Sequence, residues 1–369
     1  MKITIVNLII IGLIITGNGC ERKKTIRIGF SGCLSGKLSE LGIEGRNAVI
    51  MAVNEINKSG GINGHLIELI VKDDMQDPAT AIHGDEELVR EGVVAIIGHM
   101  TSAMTKAVIP FINQKKIVLL SPTSTTNELT GIDDYFLRTA LPDKIQSEHI
   151  SKYAIEKLRL KTIAIIYDLS NRSFSEGWQT NFKSSFELGG GRVLHSEAYT
   201  SDQNNQYLEI CKKIIAKNPE GLLIISGAID TALFCQQIRK LASSIPIVSS
   251  GWAQNSALLR YGGLAVEGII IPQTINENSI SKNYLIFKEN FKKFYGKNPG
   301  HGATGAYDAA NLLFKALSET DDPLKLKNAI LNQKIFHGLQ GDIMIDKYGD
   351  ASRKTYLISV KNGQFVTIE

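Results

Sequence analysis

Val93-Val94-Ala95-Ile96-Ile97-Gly98-His99-Met100-Thr101-Ser102 and, further along, Ile117-Val118-Leu119-Leu120-Ser121-Pro122-Thr123-Ser124-Thr125-Thr126 share one plan. In each, an aliphatic run too short for a helix gives way to hydroxyl-bearing residues. Uninterrupted apolar runs of this length are how strands buried on both faces read, and such strands belong to parallel sheets covered by helices. Working outward, 26–30 and 66–72 read as further strands. Helical segments are expected between them at 43–56, 78–91 and 101–114. In the first, Ala48, Val49, Ala52, Val53 and Ile56 fall on one stripe. Asp77-Pro78 opens the second as N-cap and first helical residue. The alternation predicts a doubly wound α/β sheet.

After Phe136-Leu137-Arg138-Thr139 the rhythm restarts. Strands are expected at 162–167, 192–199, 221–226, 245–248 and 266–271, and helices at 143–158, 174–188, 204–217 and 229–241. The tail differs: 284–295, 302–318 and 323–331 read as helices with little strand between them, followed by antiparallel strands at 342–345 and 354–360. Helices that lack a sheet of their own must pack onto an earlier lobe, so the chain is expected to cross between lobes more than once.

The chain has 369 residues, enough for two domains at about 100–200 residues each. Its formal net charge of +4 is spread along the sequence, which argues against a nucleic-acid footprint. Four cysteines are too few for a disulfide scaffold. Residues 3–15 are almost wholly apolar, too short to span a membrane comfortably but of the length of a secretory signal. Gly17-Asn18-Gly19-Cys20 follows, and the segment resembles a bacterial lipoprotein signal. That resemblance implies removal of residues 1–19, acylation of Cys20 and attachment to the membrane through lipid. Cys211 and Cys235 sit in helix-like stretches and read as buried free thiols.

Catalytic patterns find no footing. Gly300-His301-Gly302-Ala303-Thr304-Gly305 matches a dinucleotide fingerprint but follows a helical stretch where a strand is required. The seven histidines never pair at helical spacing and no C-x-x-C occurs, so neither a metal nor a cofactor is expected. Asp73, Asp74 and Asp77 fit either a hard cation or the polar end of a strand followed by an N-cap. Ser279-Ile280-Ser281-Lys282 matches S-x-x-K without its companion motifs.

What remains are hydroxyls at strand ends. Residues 98–102 and 121–128 each end a strand and open a helix, and free N–H groups at such a start bind anions such as carboxylates. Ser102 and Thr125 or Thr126 also fit plain N-caps.

In order and spacing the sequence resembles the branched-chain amino-acid-binding family of periplasmic binding proteins, the receptors of ABC importers. The resemblance runs from about residue 25 to 360. It rests on Ile28-Gly29-Phe30, Gly45-Arg46-Asn47-Ala48, Ala52-Val53-Asn54-Glu55-Ile56-Asn57, Gly60-Gly61-Ile62-Asn63-Gly64, Asp73-Asp74, Ser121-Pro122, Asn127-Glu128-Leu129-Thr130 and Tyr307-Asp308-Ala309. It implies two α/β lobes joined by three crossovers, ligand trapped between them by hinge closure, a permease partner and action as a monomer. Lobe one would comprise 25–138 with 274–341, and lobe two 139–273 with 342–369. By position, Ser102 and Thr125 would hold a ligand carboxylate through hydroxyl and backbone N–H. The Thr123 carbonyl would accept from a ligand ammonium, with Met100 beside them. Phe174 would pack on the ligand from lobe two, where the family often has tyrosine, and Trp252 would line the pocket or belong to the lobe-two core. The family's lobe-two acid is missing from Ser249-Ser250-Gly251-Trp252-Ala253. Either Asp230 or Glu176 replaces it, or the ligand is not an α-amino acid. A sensor of the same fold, binding an acid or amide without transport, is the alternative function, and an α/β enzyme the third.

Overall fold

A computed structural model describes residues 25–201, 207–242 and 244–369. The expected export signal, the expected lipid site Cys20 and the start of the helix expected from residue 204 lie outside these. The first sheet holds β1 (Ile26–Gly32), β2 (Ile67–Asp73), β3 (Ala95–Ile97), β4 (Val118–Ser121) and β5 (Phe136–Arg138). All pair in parallel, in the order β2-β1-β3-β4-β5. Helices α1 (Ser39–Lys58), α2 (Pro78–Arg90) and α3 (Ser102–Lys115) connect them. Asp77 caps α2 as its spacing required, accepting from Thr80 N at 2.8 Å. The order reverses between β1 and β3, so crossovers leave toward opposite faces and a crevice opens at the carboxyl ends of these strands.

The chain then builds α4 (Asp143–Glu156), β6 (Thr162–Asp168), α5 (Arg172–Leu188), β7 (Arg192–Tyr199), α6 (Tyr207–Ile215), β8 (Gly221–Ile225), α7 (Ala228–Ala242), β9 (Ile247–Ser249), α8 (Ser256–Gly262) and β10 (Ile270–Gln273). These strands form a second parallel sheet with its own reversal between β6 and β8. Trp178, Phe182 and Phe186 stack along one face of α5, with ring centroids 6.0 and 5.5 Å apart, and are fully buried.

From β10 the chain crosses back. Helices α9 (Lys282–Tyr295), α10 (His301–Glu319) and α11 (Pro323–Asn332) follow. Residues from α1, α9, α10 and α11 share one buried core with β1, β3 and β4. The glycines of the false fingerprint serve this packing. A Cβ on Gly302 would lie 2.7 Å from Leu41 Cδ1, and one on Gly305 would lie 2.9 Å from Pro122 O. The strand expected at 342–345 does not rejoin lobe two. Strands β11 (Ile335–Gly338), β12 (Gly341–Ile345) and β13 (Ala351–Ser352) form a separate antiparallel sheet. The buried Arg138–Asp350 ion pair of 2.6 Å ties this sheet to β5 of lobe one. The return therefore comes at residues 353–355, after which β14 (Tyr356–Lys361) and β15 (Gln364–Thr367) extend the second sheet antiparallel to β10. The strand expected at 266–271 starts later because positive φ at Gly263 and Gly268 turns the chain first.

Three buried acid–base groups have shifted protonation. His99 lies between Asp74 and Asp85, at 2.8 and 3.2 Å. Burial pulls its pKa down, but the two carboxylates more than offset this and raise it to about 10. Burial raises Glu44 to about 8 against the nearby Lys297, and Asp143 to about 7 against Arg138. All three bind their proton more tightly when folded, so each contribution is full below the unfolded pKa and is lost as pH rises through the folded one. The melting temperature should therefore fall steadily from about pH 6.5 to 10. A calorimetric scan showing a flat or rising profile over that range would contradict these assignments.

Candidate ligand-binding cleft

The two switch points face each other across a cleft. On lobe one, β3 and β4 run into loops laced by hydroxyls. Ser121 Oγ donates to His99 O at 2.7 Å and accepts from Ser124 N at 3.0 Å, while Thr123 Oγ1 donates to Met100 O at 2.6 Å. A side chain cannot replace Gly98, whose φ is +143° and whose added Cβ would meet Ser31 O at 2.1 Å. Ser102 opens α3, and Thr101 before it provides no side-chain cap. Ser102 Oγ accepts from the N–H groups of Thr125 and Thr126, both at 3.3 Å. The Thr125 amide, expected to face a ligand, is thus turned to Ser102. The Thr125 hydroxyl is buried and has no partner, and Thr139 is the same.

Lobe two closes over this edge. Asn171 Oδ1 accepts from Ala103 N in the first turn of α3 at 3.0 Å. Phe174 and Trp252 meet edge to face, centroids 5.7 Å apart and planes at 81°. The cleft holds about 670 Å³, open solvent at its mouth included. Its walls bring together Met100, Ser102, Thr123, Thr125, Phe174 and Trp252, six of the residues expected from sequence. Trp252 lines the cleft and also packs into the large buried cluster that both lobes share.

Asp230 does not join them. It lies in an adjoining recess, with Leu41 and Trp252 shared between the two spaces. There its carboxylate accepts from Tyr199 Oη at 2.9 Å and Tyr207 Oη at 2.7 Å, and pairs with Lys37 Nζ at 2.5 Å. Burial pulls the Lys37 ammonium down, and its bonds to Asp230 and Tyr207 more than offset this, leaving its pKa raised. Glu176 is half-exposed and pairs with Arg172 along α5. Asp73 and Asp74 also serve the backbone: Asp73 Oδ1 accepts from Leu34 N and Met75 N, and Asp74 Oδ1 from Gln76 N.

The cleft floor was not foreseen. It is lined by Thr139, Ala140 and Leu141 from the first crossover, Gln273, Thr274 and Ile275 from the second, and Arg353 from the third. Gln146 and His301 complete its polar surface. Burial lowers the His301 pKa, and its Nδ1 donates to Gln254 O at 2.7 Å, so the ring is neutral. The signal for these residues lies in where the chain changes lobes, which no local pattern marks.

Residues 25–364 match the model of a family described as periplasmic binding proteins. The chain belongs to that family. The family is one of exported solute-binding proteins. Among the described residues no helix is long and apolar enough to cross a membrane. A Leu-, Ile-, Val-, Thr- and Ala-binding protein of Pseudomonas aeruginosa is 24% identical over 331 residues, covering 88% of this chain and 87% of its own. The branched-chain amino-acid binding protein LivJ of Streptococcus pneumoniae, solved with isoleucine, superposes with a TM-score of 0.87 at 24% identity, covering 94% of this chain and 99% of its own. A solute-binding protein of R. palustris, solved with benzoate, gives 0.85 at 18% identity, covering 93% of this chain and 95% of its own.

The lobes are held together away from the cleft by Lys37–Asp230 and by Arg260–Glu40 at 2.7 Å. Replacing Lys37 by Met strands a buried carboxylate only in the closed form. With the lysine partly exposed, closure should weaken by about 1–2 kcal/mol. X-ray scattering from the ligand-stripped K37M protein should then give a larger radius of gyration than the wild type. An unchanged radius would show that this pair does not hold the lobes.

Proposed function

We propose that the chain is the solute receptor of an ABC importer, tethered through a lipid on Cys20, which closes its lobes on a small organic carboxylate and presents it to the permease. The observation that carries this is the cleft edge at the start of α3, where the Ser102 side chain and the unpartnered Thr125 hydroxyl meet inside a closable cleft, with Asn171 holding the Ala103 N–H. Such a start stabilises a carboxylate without needing a cation. Branched-chain amino acids are the first ligands to try, because relatives are named for them. A sensor of the same fold for another acid or amide is the second reading, favoured by the absence of any Asp or Glu from the described cleft lining.

Protein unfolded and refolded to strip bound solute should be melted against a panel of amino acids, deaminated acids and amides. A true ligand at 100 times its Kd should add about 2.7 kcal/mol of stability. Replacing both Ser102 and Thr125 by Ala should then cost about 2–4 kcal/mol of binding, because two hydrogen bonds to a charged group are lost. Unchanged affinity in that double variant would rule out this carboxylate site.

A further inference from the structure

The cleft carries a guanidinium on its floor. Among its described lining residues Arg353 is the one full charge, since His301 is neutral and no carboxylate is present. The Arg353 side chain is 7% exposed. Its one hydrogen bond among the described residues, which is also its ion pair, runs from Nη1 to the buried carboxylate of Asp308 at a long 3.4 Å, leaving the rest of the guanidinium edge toward the cleft. Asp308 itself is buried behind the cleft wall and also accepts from Leu339 N at 2.8 Å. A guanidinium presents five donors, so most of those on Arg353 remain without an acceptor. Thr139 beside it on the hinge floor has a buried hydroxyl that also lacks a partner.

We infer that the ligand carries no ammonium group: it is a carboxylate whose far end offers a hydrogen-bond acceptor to Arg353. This rests on the reading of the cleft as a carboxylate receptor. An ammonium enclosed here would lose its water, find no counter-charge and share the space with a guanidinium, an arrangement that burial makes costly. Both acids placed to rescue it are engaged, Asp230 with Lys37 and two tyrosines, Glu176 with Arg172. A dicarboxylate, or an acid with a keto or hydroxyl oxygen at its far end, instead satisfies both ends, with Ser102 and Thr125 at one and Arg353 at the other. Phe174 and Trp252 would cover the apolar middle.

The test is isothermal titration of the refolded full-length receptor with pairs matched in carbon skeleton, each with a carboxylate at the far end: aspartate against succinate, glutamate against glutarate, and 2-aminoadipate against adipate. The expected result is that at least one deaminated acid binds tenfold or more tighter than its amino acid. Arg353→Gln should weaken that acid at least tenfold. Because Arg353 also touches Asp308, a second variant is needed: Gln146, which lines the cleft and makes no hydrogen bond among the described residues, is replaced by Glu. Q146E should narrow or reverse the preference by supplying the missing negative charge. Amino acids binding tighter than their deaminated partners in the wild type would overturn the inference and leave the carboxylate reading standing. No binding by any of the six acids would overturn the carboxylate reading itself, and the inference with it.

Discussion

Helix α10 cannot be left in water. It is buried along most of its length, and its glycines let it lie against Leu41 of α1 and the carbonyl of Pro122. The chain that has just laid down β10 in the second sheet must therefore return to cover the first. It must then cross once more, because β14 and β15 complete the sheet it left. Two lobes joined by three strands of chain can open only about that hinge. The same constraint makes the hinge the floor of the cleft, so residues far apart in sequence, at 139–141, 273–275 and 353, line one space.

Closure in such a molecule is a balance. Ion pairs between the lobes outside the cleft and the Asn171 bond to the start of α3 favour the shut form without any ligand. Buried donors at Thr125 and Thr139, with the free edge of Arg353, count against it while they lack acceptors. A ligand that supplies those acceptors binds only the closed form well, and its differential affinity is what shifts the population. The site is built to be completed from outside.

Much of this was legible in the sequence because buried strands announce themselves. The aliphatic runs before Gly98 and Ser121 placed β3 and β4, and the hydroxyls after them placed one edge of the cleft. Phe174 and Trp252 could be named by position in the family pattern. Asp230 could not be resolved, because whether an acid in the first turn of a helix faces a ligand or a lysine depends on Lys37, nearly two hundred residues earlier. The hinge residues were invisible for a related reason. Gln273 and Arg353 stand in no motif, Thr139 reads as the end of a strand and a lobe boundary and not as cleft lining, and the third crossover is decided by the packing of the small sheet around β12. The expectation that 342–345 belonged to lobe two failed there, since the Arg138–Asp350 pair holds that sheet to lobe one.

The central claim is that the cleft encloses one small carboxylate. The most direct measurement is mass spectrometry of what the natively purified protein releases on unfolding. The account predicts a single small organic acid, near one equivalent per chain from wild type and much reduced in the variant lacking both the Ser102 and Thr125 hydroxyls. Stoichiometric release of a molecule with no carboxylate, or equal release from that variant, would contradict it.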